Sequence, residues 1–346
     1  MAWNREEDHV MKMKHTLSLL ICIGFASLLM VGCSNDEEAL EDAISNSKDV
    51  YPLTGLEVKD EENERAVAVM INNHPDARPQ SGLQKADVVY EMLAEGNVTR
   101  FLAVYQSEHP ERVGPVRSAR DYYIEIAKGL NSLYVCHGYS PEAKELLEDN
   151  YVDSLNGLFY DGTLFKRDSS RKAPHNSYIS FSNIEKGAEE KGYDMTIMPP
   201  SFSFLSEDER EDLAGEDTSL ITIEYGSDLF DVTYEYDEAE EVYTRTVDGE
   251  QTLDQDTGEQ VAINNVIVIE APHEVIDNEG RRDIDFSEGG SAYLLQKGKW
   301  NRIQWQFVDK VFIFMKDGME IEFVPGKTWI NIIPTNPGLQ DSVTIH

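Results

Sequence analysis

Cysteine is scarce in this chain. Only three of the 346 residues are cysteine, and two of these, Cys22 and Cys33, lie in or directly after an apolar N-terminal stretch. The remaining chain contains Cys136 alone, which excludes a small fold held together by several disulfides. A chain of this length can instead be stabilised by burial of a hydrophobic core.

Basic residues are also few. Lysine and arginine total 30 against 65 aspartate and glutamate residues, which gives a net charge of -35. The excess is largest in residues 196–346, which carry 10 basic and 32 acidic residues. This negative field repels nucleic acid and anionic lipid, so we predict no nucleic-acid partner. A solvated acidic surface explains the excess more simply than a site for one basic partner.

Motifs that bind metals, phosphates or cofactors are missing. No histidine spacing fits a zinc site, no glycine-rich loop fits a phosphate cradle, and no Gly-x-Ser-x-Gly surrounds a serine. Residues 254–259 resemble part of a calcium loop, but Asn265 stands where that motif requires a bidentate glutamate. We interpret the segment as a polar hairpin turn. We predict no metal and no cofactor, and the sequence identifies no catalytic residue.

The N terminus has the layout of a secretory signal peptide. Residues 17–31 form an almost unbroken apolar run that follows Lys12 and Lys14. The run is shorter than the ~20 residues with which a transmembrane helix crosses about 30 Å of hydrocarbon. Met11 is an alternative start to Met1, because the signal-peptide layout begins beside it.

A lipid-attachment motif ends this run. Residues 29–33 resemble a bacterial lipobox, with Gly32 before the cleavage point and Cys33 directly after it. The alternative is an ordinary signal peptide beside a coincidental cysteine. Acyl chains of the palmitate type on Cys33 would hold the protein on the outer face of the cell membrane, because each buried CH₂ contributes about 0.8 kcal/mol. We therefore predict removal of residues 1–32, a lipid-anchored extracytoplasmic protein with an acidic tether over 33–50, and no intramolecular disulfide.

Hydrophobic periodicity predicts two domains and an α+β or α/β fold. Between 51 and 197, apolar runs alternate with helical patterns, which indicates an N-terminal α/β domain with a mixed sheet. Helices are predicted over 118–130, after Ser140, and over 183–191. Two prolines and an acidic stretch mark a linker over 198–218, in which Ser206 and Glu209 can form a capping box. Residues 219–346 alternate with period two, as expected for a mostly antiparallel β domain.

Candidate ligand-binding residues follow the predicted strands. In open α/β sheets, ligands collect at the carboxyl ends of strands, because loops and helix N-termini converge there. A second basic loop, residues 166–176, can fold over the same edge. The candidates are Asn73, Arg78, Arg117, Arg120 and His137 after the strands, and Arg171, His175 and Asn176 in the basic loop.

Three arginines stand out in this acidic chain. Arg112, Arg117 and Arg120 occupy nine positions without an acid between them, at the start of a predicted helix. This arrangement suits a carboxylate, phosphate or sugar-acid ligand. The alternative is that the arginines pair with structural carboxylates such as Asp121, Glu91 or Glu95.

Nucleophilic residues have simpler explanations. Cys136 precedes His137, but neighbours on a strand point to opposite faces, so we interpret Cys136 as a small buried hydrophobic residue. Ser118 or Ser140 could join a histidine and an aspartate, yet helix N-capping accounts for both serines.

Several segments together are specific enough to indicate a family. They are residues 52–56, 68–73, 77–82, 114–120, 171–176, 264–268 and 325–330. These segments resemble the YerB-like family of Gram-positive lipoproteins, known as domain of unknown function family 3048. The resemblance covers nearly the whole chain after the signal peptide and implies an N-terminal and a C-terminal domain of that family. It implies no established reaction and no catalytic residues.

Two functional hypotheses follow. The first is a non-catalytic cell-envelope binding or scaffold module, anchored to the membrane through Cys33, whose partner is an anionic envelope glycan or a cell-wall protein. The second is an envelope glycan hydrolase or transferase, in which His137 or His175 is the acid or base while Arg117 and Arg120 stabilise developing charge.

Overall fold

The structure is a computed structural model that describes residues 50–58 and 65–346. The predicted signal peptide, Cys33 and nearly all of the predicted tether lie outside the described residues. Val50–His346 forms one compact unit. Within the described ranges, no helix is long and apolar enough to cross a membrane.

The N-terminal half of the described chain combines strands with short helices. Its strands are β1 (Val67–Asn72), β2 (Val88–Glu95), β3 (Val98–Tyr105), β4 (Arg112–Val113), β5 (Leu133–Cys136), β6 (Ser154–Asn156), β7 (Phe165–Arg167) and β8 (Ser177–Ser180). Its helices are α1 (Asp121–Gly129), α2 (Pro141–Glu148), α3 (Gly157–Tyr160) and α4 (Phe181–Lys191), with 3₁₀ turns at Pro75–Ala77 and Leu83–Lys85.

The C-terminal half is mostly β. It begins with helix α5 (Glu207–Glu211) and strands β9 (Glu216–Asp217), β10 (Leu220–Ile223), β11 (Val232–Asp237), β12 (Val242–Val247), β13 (Glu250–Gln251) and β14 (Ala262–Ile263). It continues with β15 (Asn265–Ala271), β16 (His273–Val275), β17 (Arg282–Ile284), β18 (Gly290–Gln296), β19 (Lys299–Val308), β20 (Val311–Lys316) and β21 (Met319–Glu320). It ends with β22 (Thr328–Pro334), helix α6 (Leu339–Ser342) and β23 (Val343–Ile345).

One mixed sheet runs through both halves. Its order is β21-β20-β19-β18-β15-β22-β2-β3-β1-β5-β6, with β9 beside β19. The halves meet where β2 pairs in parallel with β22, from Val88 opposite Thr328 to Met92 opposite Ile332. The predicted fold class, a mixed sheet followed by mostly antiparallel β structure, is confirmed. The predicted boundaries at 197 and 218 stay a prediction, and the sheet itself is continuous across the two halves.

Both faces of this sheet are buried along its central strands, such as β1, β5, β15 and β22, which explains their apolar residues. Side chains alternate along β1, so that Val67, Val69 and Ile71 belong to one core cluster while Ala68 and Met70 belong to the other. The first cluster includes α4 and the smaller sheet β13-β12-β11-β10-β23, and the second includes α1 and α2.

The helix starts test the capping predictions. Ser140 caps α2 by accepting from the backbone N–H of Ala143, and Ser206 forms the predicted capping box with Glu209. The predicted start of α1 at residue 118 is wrong. Ala119 is held in extended backbone by a bridge to Tyr139, and the helix begins only at Asp121.

A buried ion pair joins the two larger sheets. Arg245 on β12 donates from Nη2 to both carboxylate oxygens of Glu91 on β2, at 3.0 and 2.8 Å, and both side chains are fully buried. The guanidinium also lies 4.9 Å from the centre of the Trp329 ring on β22. This pair therefore connects β12 with the two strands at which the halves meet.

Candidate functional site

The site lies at the carboxyl ends of β1 and β5. These strands are parallel neighbours, so their carboxyl ends share one edge of the sheet. Between them runs the segment that carries Arg117, whose backbone N–H donates to the Met70 carbonyl while its own carbonyl accepts from His137, both at 2.9 Å. Strand β3 is antiparallel to β1 and ends at the opposite edge, so the chain returns to the site through residues 112–117.

The guanidinium of Arg117 is half-buried. Among the described residues, its guanidinium takes part in no ion pair and no side-chain hydrogen bond. Burial, and secondly the neighbouring charge of Arg100, lower the pKa of Arg117 to about 10. Its positive charge also acts on His137 and His175. The structure thus brings these three predicted residues together.

His137 is held on both ring nitrogens. Its Nδ1 lies 2.7 Å from Oγ of Ser177, and its Nε2 accepts from Nη2 of Arg167 at 3.0 Å. Burial, followed by the charge of Arg167, lowers the pKa of His137. The Asp161 carboxylate holds Arg167 in turn, at 2.9 Å.

His175 lies beside a second histidine. The rings of His74 and His175 stack with their centres 4.6 Å apart. Asn72 connects them, because its oxygen accepts from the backbone N–H of His74 at 3.0 Å and its nitrogen lies 2.8 Å from Nδ1 of His175. Burial, then the neighbouring His74 and Arg117, lower the pKa of His175.

Arg171 fastens the basic loop onto the segment after β1. Its guanidinium donates to the carbonyls of Asp76, Arg78 and Pro79, and to the side-chain oxygen of Gln255 at 2.7 Å. An open cavity of about 510 Å³ lies here, with a lining that includes Arg78, Arg171, Lys172 and His175. The cavity is basic in an otherwise acidic protein.

Asn176 and Arg78 hold neighbouring segments of the site together. The oxygen of Asn176 accepts from Nη1 of Arg167 at 3.1 Å, and its backbone carbonyl accepts from the N–H of Asp168. Arg78 donates from Nε to the oxygens of Asn73 and from Nη2 to the Leu229 carbonyl. Burial lowers the pKa of Arg78 to about 10.

The side chains of two predicted residues have structural partners. Asn73 is fully buried and donates to Glu91 and Thr99 at 3.2 and 2.7 Å, so its amide belongs to the interior network. Arg120 is buried and ion-paired with Glu95. Arg120 therefore pairs with a structural carboxylate, as the alternative hypothesis expected. Arg112 also pairs with carboxylates, but with Asp168 and Asp256, at 3.0 and 2.6 Å, which were not the carboxylates named as examples.

Other residues at the site are not among the predicted candidates. Asn72, His74, Asp76, Ser177 and Arg167 all contact the predicted histidines or their neighbours. Alternation along β1 could have distinguished Asn72 from Asn73, because the two side chains point to opposite faces. No local signal indicates that His74 and His175 meet.

The residues considered as nucleophiles take structural roles. Cys136 is fully buried in the core cluster that contains α1, and burial raises the pKa of its thiol. Ser118 donates from Oγ to the carbonyl of His137 at 3.2 Å. Asp254 accepts from the N–H groups of Asp256 and Thr257, both at 2.9 Å, which forms a turn as predicted.

Comparisons with known proteins cover nearly all of this fold. Models described as the N-terminal and C-terminal domains of a protein of unknown function (DUF3048) match residues 53–194 and 221–330. A Bacillus subtilis (strain 168) protein named "Putative lipoprotein YerB" is 45% identical over 313 residues, which are 90% of this chain and 93% of that protein. The crystal structure of the YerB protein from Bacillus subtilis has a TM-score of 0.80 at 46% identity and covers 86% of this chain and 100% of that chain. The chain therefore belongs to the DUF3048 family of proteins of unknown function.

Proposed function

We propose that this chain is a lipid-anchored extracytoplasmic protein that binds an anionic envelope glycan without chemical turnover. The observation that carries the proposal is the half-buried Arg117, which has no carboxylate partner among the described residues. Partial burial removes water from this cation, and the free-energy cost of that lost hydration is not offset by a carboxylate partner. A carboxylate or phosphate group of a ligand would offset it. The basic cavity beside His175 extends the surface available to such a ligand.

The geometry of His137 favours binding over catalysis. Nε2 accepts from Arg167, and a nitrogen that already accepts from a cation is a poor proton acceptor for a substrate. Arg120 pairs with Glu95, so it adds no free positive charge to stabilise a transition state. The hydrolase or transferase hypothesis therefore has less support.

The location rests on the N-terminal sequence and on a relative. Residues 29–33 resemble a lipobox, and the Bacillus subtilis relative is named a lipoprotein. Cys33→Ala should release the protein from washed membranes into the culture medium. Equal retention of the Cys33→Ala variant and the wild type in the membrane fraction would contradict lipid anchoring.

Binding can be tested with small anionic sugars. We expect glucuronic acid and glucosamine 6-phosphate to shift the backbone NMR signals of residues 116–119 and 137, whereas glucose has no effect. Arg117→Ala should weaken binding by about 1.5 to 3 kcal/mol, the range for a hydrogen bond to a charged group. Arg302→Ala removes an exposed arginine of β19 and is the matched control. Binding that is unchanged in Arg117→Ala would place the ligand elsewhere.

A further inference from the structure

Three side chains in and around the basic cavity have the composition of a metal site. Single ligand atoms of His74, Asp76 and His175 all lie within 4.8 Å of one another. His74 and Asp76 flank Pro75 at the start of a 3₁₀ turn, in which Nδ1 of His74 accepts from the N–H of Asp76 at 3.2 Å. Two imidazoles and one carboxylate form a ligand set that is typical of zinc and related ions.

The surrounding contacts hold these ligands in place. The Asn72 amide contacts both histidine residues, and the ring stacking aligns their side chains. Arg171 anchors the loop that carries His175 through three backbone carbonyls of the segment that carries Asp76. The Asp76 side chain is 75% exposed and can turn toward an ion without loss of packing.

We propose that His74, Asp76 and His175 bind one divalent transition-metal ion, with Zn²⁺ as the preferred metal. Ligand atoms around Zn²⁺ lie about 2.0 to 2.2 Å from the metal, so the side chains must close by roughly 1 Å from their present separation. Three protein ligands leave a fourth position for water or for an anion. The positive charges of Arg117 and Arg171 act on His175 and oppose a cation, so we expect micromolar rather than tighter affinity.

Asn72 provides a specific test of this geometry. Metal binding through Nε2 of His175 places the ring proton on Nδ1, which then needs an acceptor. Asn72 presents its nitrogen to Nδ1 in the structure, so its amide must rotate when the metal binds. Asn72→Asp supplies a carboxylate acceptor without rotation. We therefore expect Asn72→Asp to bind the metal more tightly than the wild type.

The experiment is a Co²⁺ titration of the mature chain in detergent after treatment with a chelator. Visible absorption of Co²⁺ reports nitrogen and oxygen coordination directly, and competition with Zn²⁺ gives the relative affinity. We expect one ion per chain, at least tenfold weaker binding in His74→Ala, His175→Ala and Asp76→Asn, and no change in His346→Ala. Circular dichroism checks that each variant is folded, and Asp76→Asn changes an exposed side chain that is least able to disturb the fold.

Two results would overturn the metal site. One is the absence of saturable Co²⁺ absorption at millimolar metal, and the other is binding that Asp76→Asn and His74→Ala leave unchanged. The outcome is separable from the anion-binding proposal. Arg117→Ala removes a cation near His175 and should leave metal binding equal or stronger, although it weakens anion binding.

Discussion

Arg167 donates a hydrogen bond from Nη2 to Nε2 of His137 over 3.0 Å. A ring nitrogen that accepts a hydrogen bond carries no proton, so the proton of neutral His137 lies on Nδ1 and faces Oγ of Ser177 at 2.7 Å. Arg167 donates from Nε to Oδ1 of Asp161 and from Nη2 to Oδ2, and this bidentate contact fixes the guanidinium in this position. Asp161 and Ser177 thus position His137 from two sides.

Arg167→Ala should raise the pKa of His137. The substitution removes a positive charge that lowers this pKa and leaves Asp161, whose negative charge raises it. Long-range ¹H–¹⁵N NMR spectra of the histidine rings, recorded across pH, measure the change. Lys166→Ala on the same strand is the control, because its ammonium contacts only the Gly162 carbonyl among the contacts described for this side chain. An unchanged or lower pKa in Arg167→Ala would contradict the assigned hydrogen bond.

Gly157→Ala should destabilise the protein by about 1 to 3 kcal/mol, as expected for overpacking. A Cβ atom at residue 157 would overlap the imidazole of His137. Urea unfolding measures the loss. The double variant Gly157→Ala with His137→Ala should recover most of the loss attributed to Gly157→Ala, because the clash is then removed. Additive effects of the two substitutions would show that the residues do not contact each other.

Arg245→Met should be among the most destabilising single substitutions in the chain. It leaves the Glu91 carboxylate fully buried without its cation, a situation that costs about 3 to 5 kcal/mol. Adding Glu91→Gln should restore much of the stability, because the uncompensated charge is then absent.

An exposed ion pair serves as the comparison. Lys144 and Glu148 on α2 lie 3.5 Å apart with side chains 46% and 61% exposed. Lys144→Ala should change the free energy of unfolding by less than about 1 kcal/mol. A similar cost for Lys144→Ala and Arg245→Met would contradict the role assigned to burial.

His273 should make the fold sensitive to acid. Its Nδ1 contacts the Ala271 carbonyl at 2.8 Å, and burial lowers the pKa of the ring to about 4, from 6.5. The folded state favours the neutral ring. The stabilisation is therefore present above pH 6.5 and is lost as the pH falls through about 4, by on the order of 3 kcal/mol.

His273→Asn isolates this effect, because an asparagine amide can donate to the same carbonyl but does not titrate. Thermal unfolding of the two proteins between pH 7.5 and 3.5 should show the wild type losing stability relative to the variant as the pH falls. A constant difference over this range would contradict the burial of the ring.

Much of the fold could be predicted because burial leaves a periodic trace. The apolar residues of β1 and β5 identify strands that are covered on both faces, and Ser140 and Ser206 identify helix starts through local contacts. The start of α1 could not be predicted. Ala119 is extended because it pairs with Tyr139, a contact that local sequence does not encode.

Part of the site could also be predicted from the positions of the strands. Arg117 and His137 follow from the rule on strand ends, which depends on sheet geometry alone. Glu95 was one of the carboxylates considered as partners of the arginines, but its pairing with Arg120 depends on how the fold brings the two residues together. The contact between Asn72 and His175 joins residues 103 positions apart, so the pairing of His74 with His175 needed the structure.

The parallel pairing of β2 with β22 affects the state of the sheet while the chain is being synthesised. Strand β2 lacks its neighbour on one side until residues 328–334 have been synthesised. Until then its unpaired backbone groups offer an edge on which another chain can add a strand. A truncated product that ends between the two matched family segments would keep that edge open, and aggregation of such fragments is the expected result.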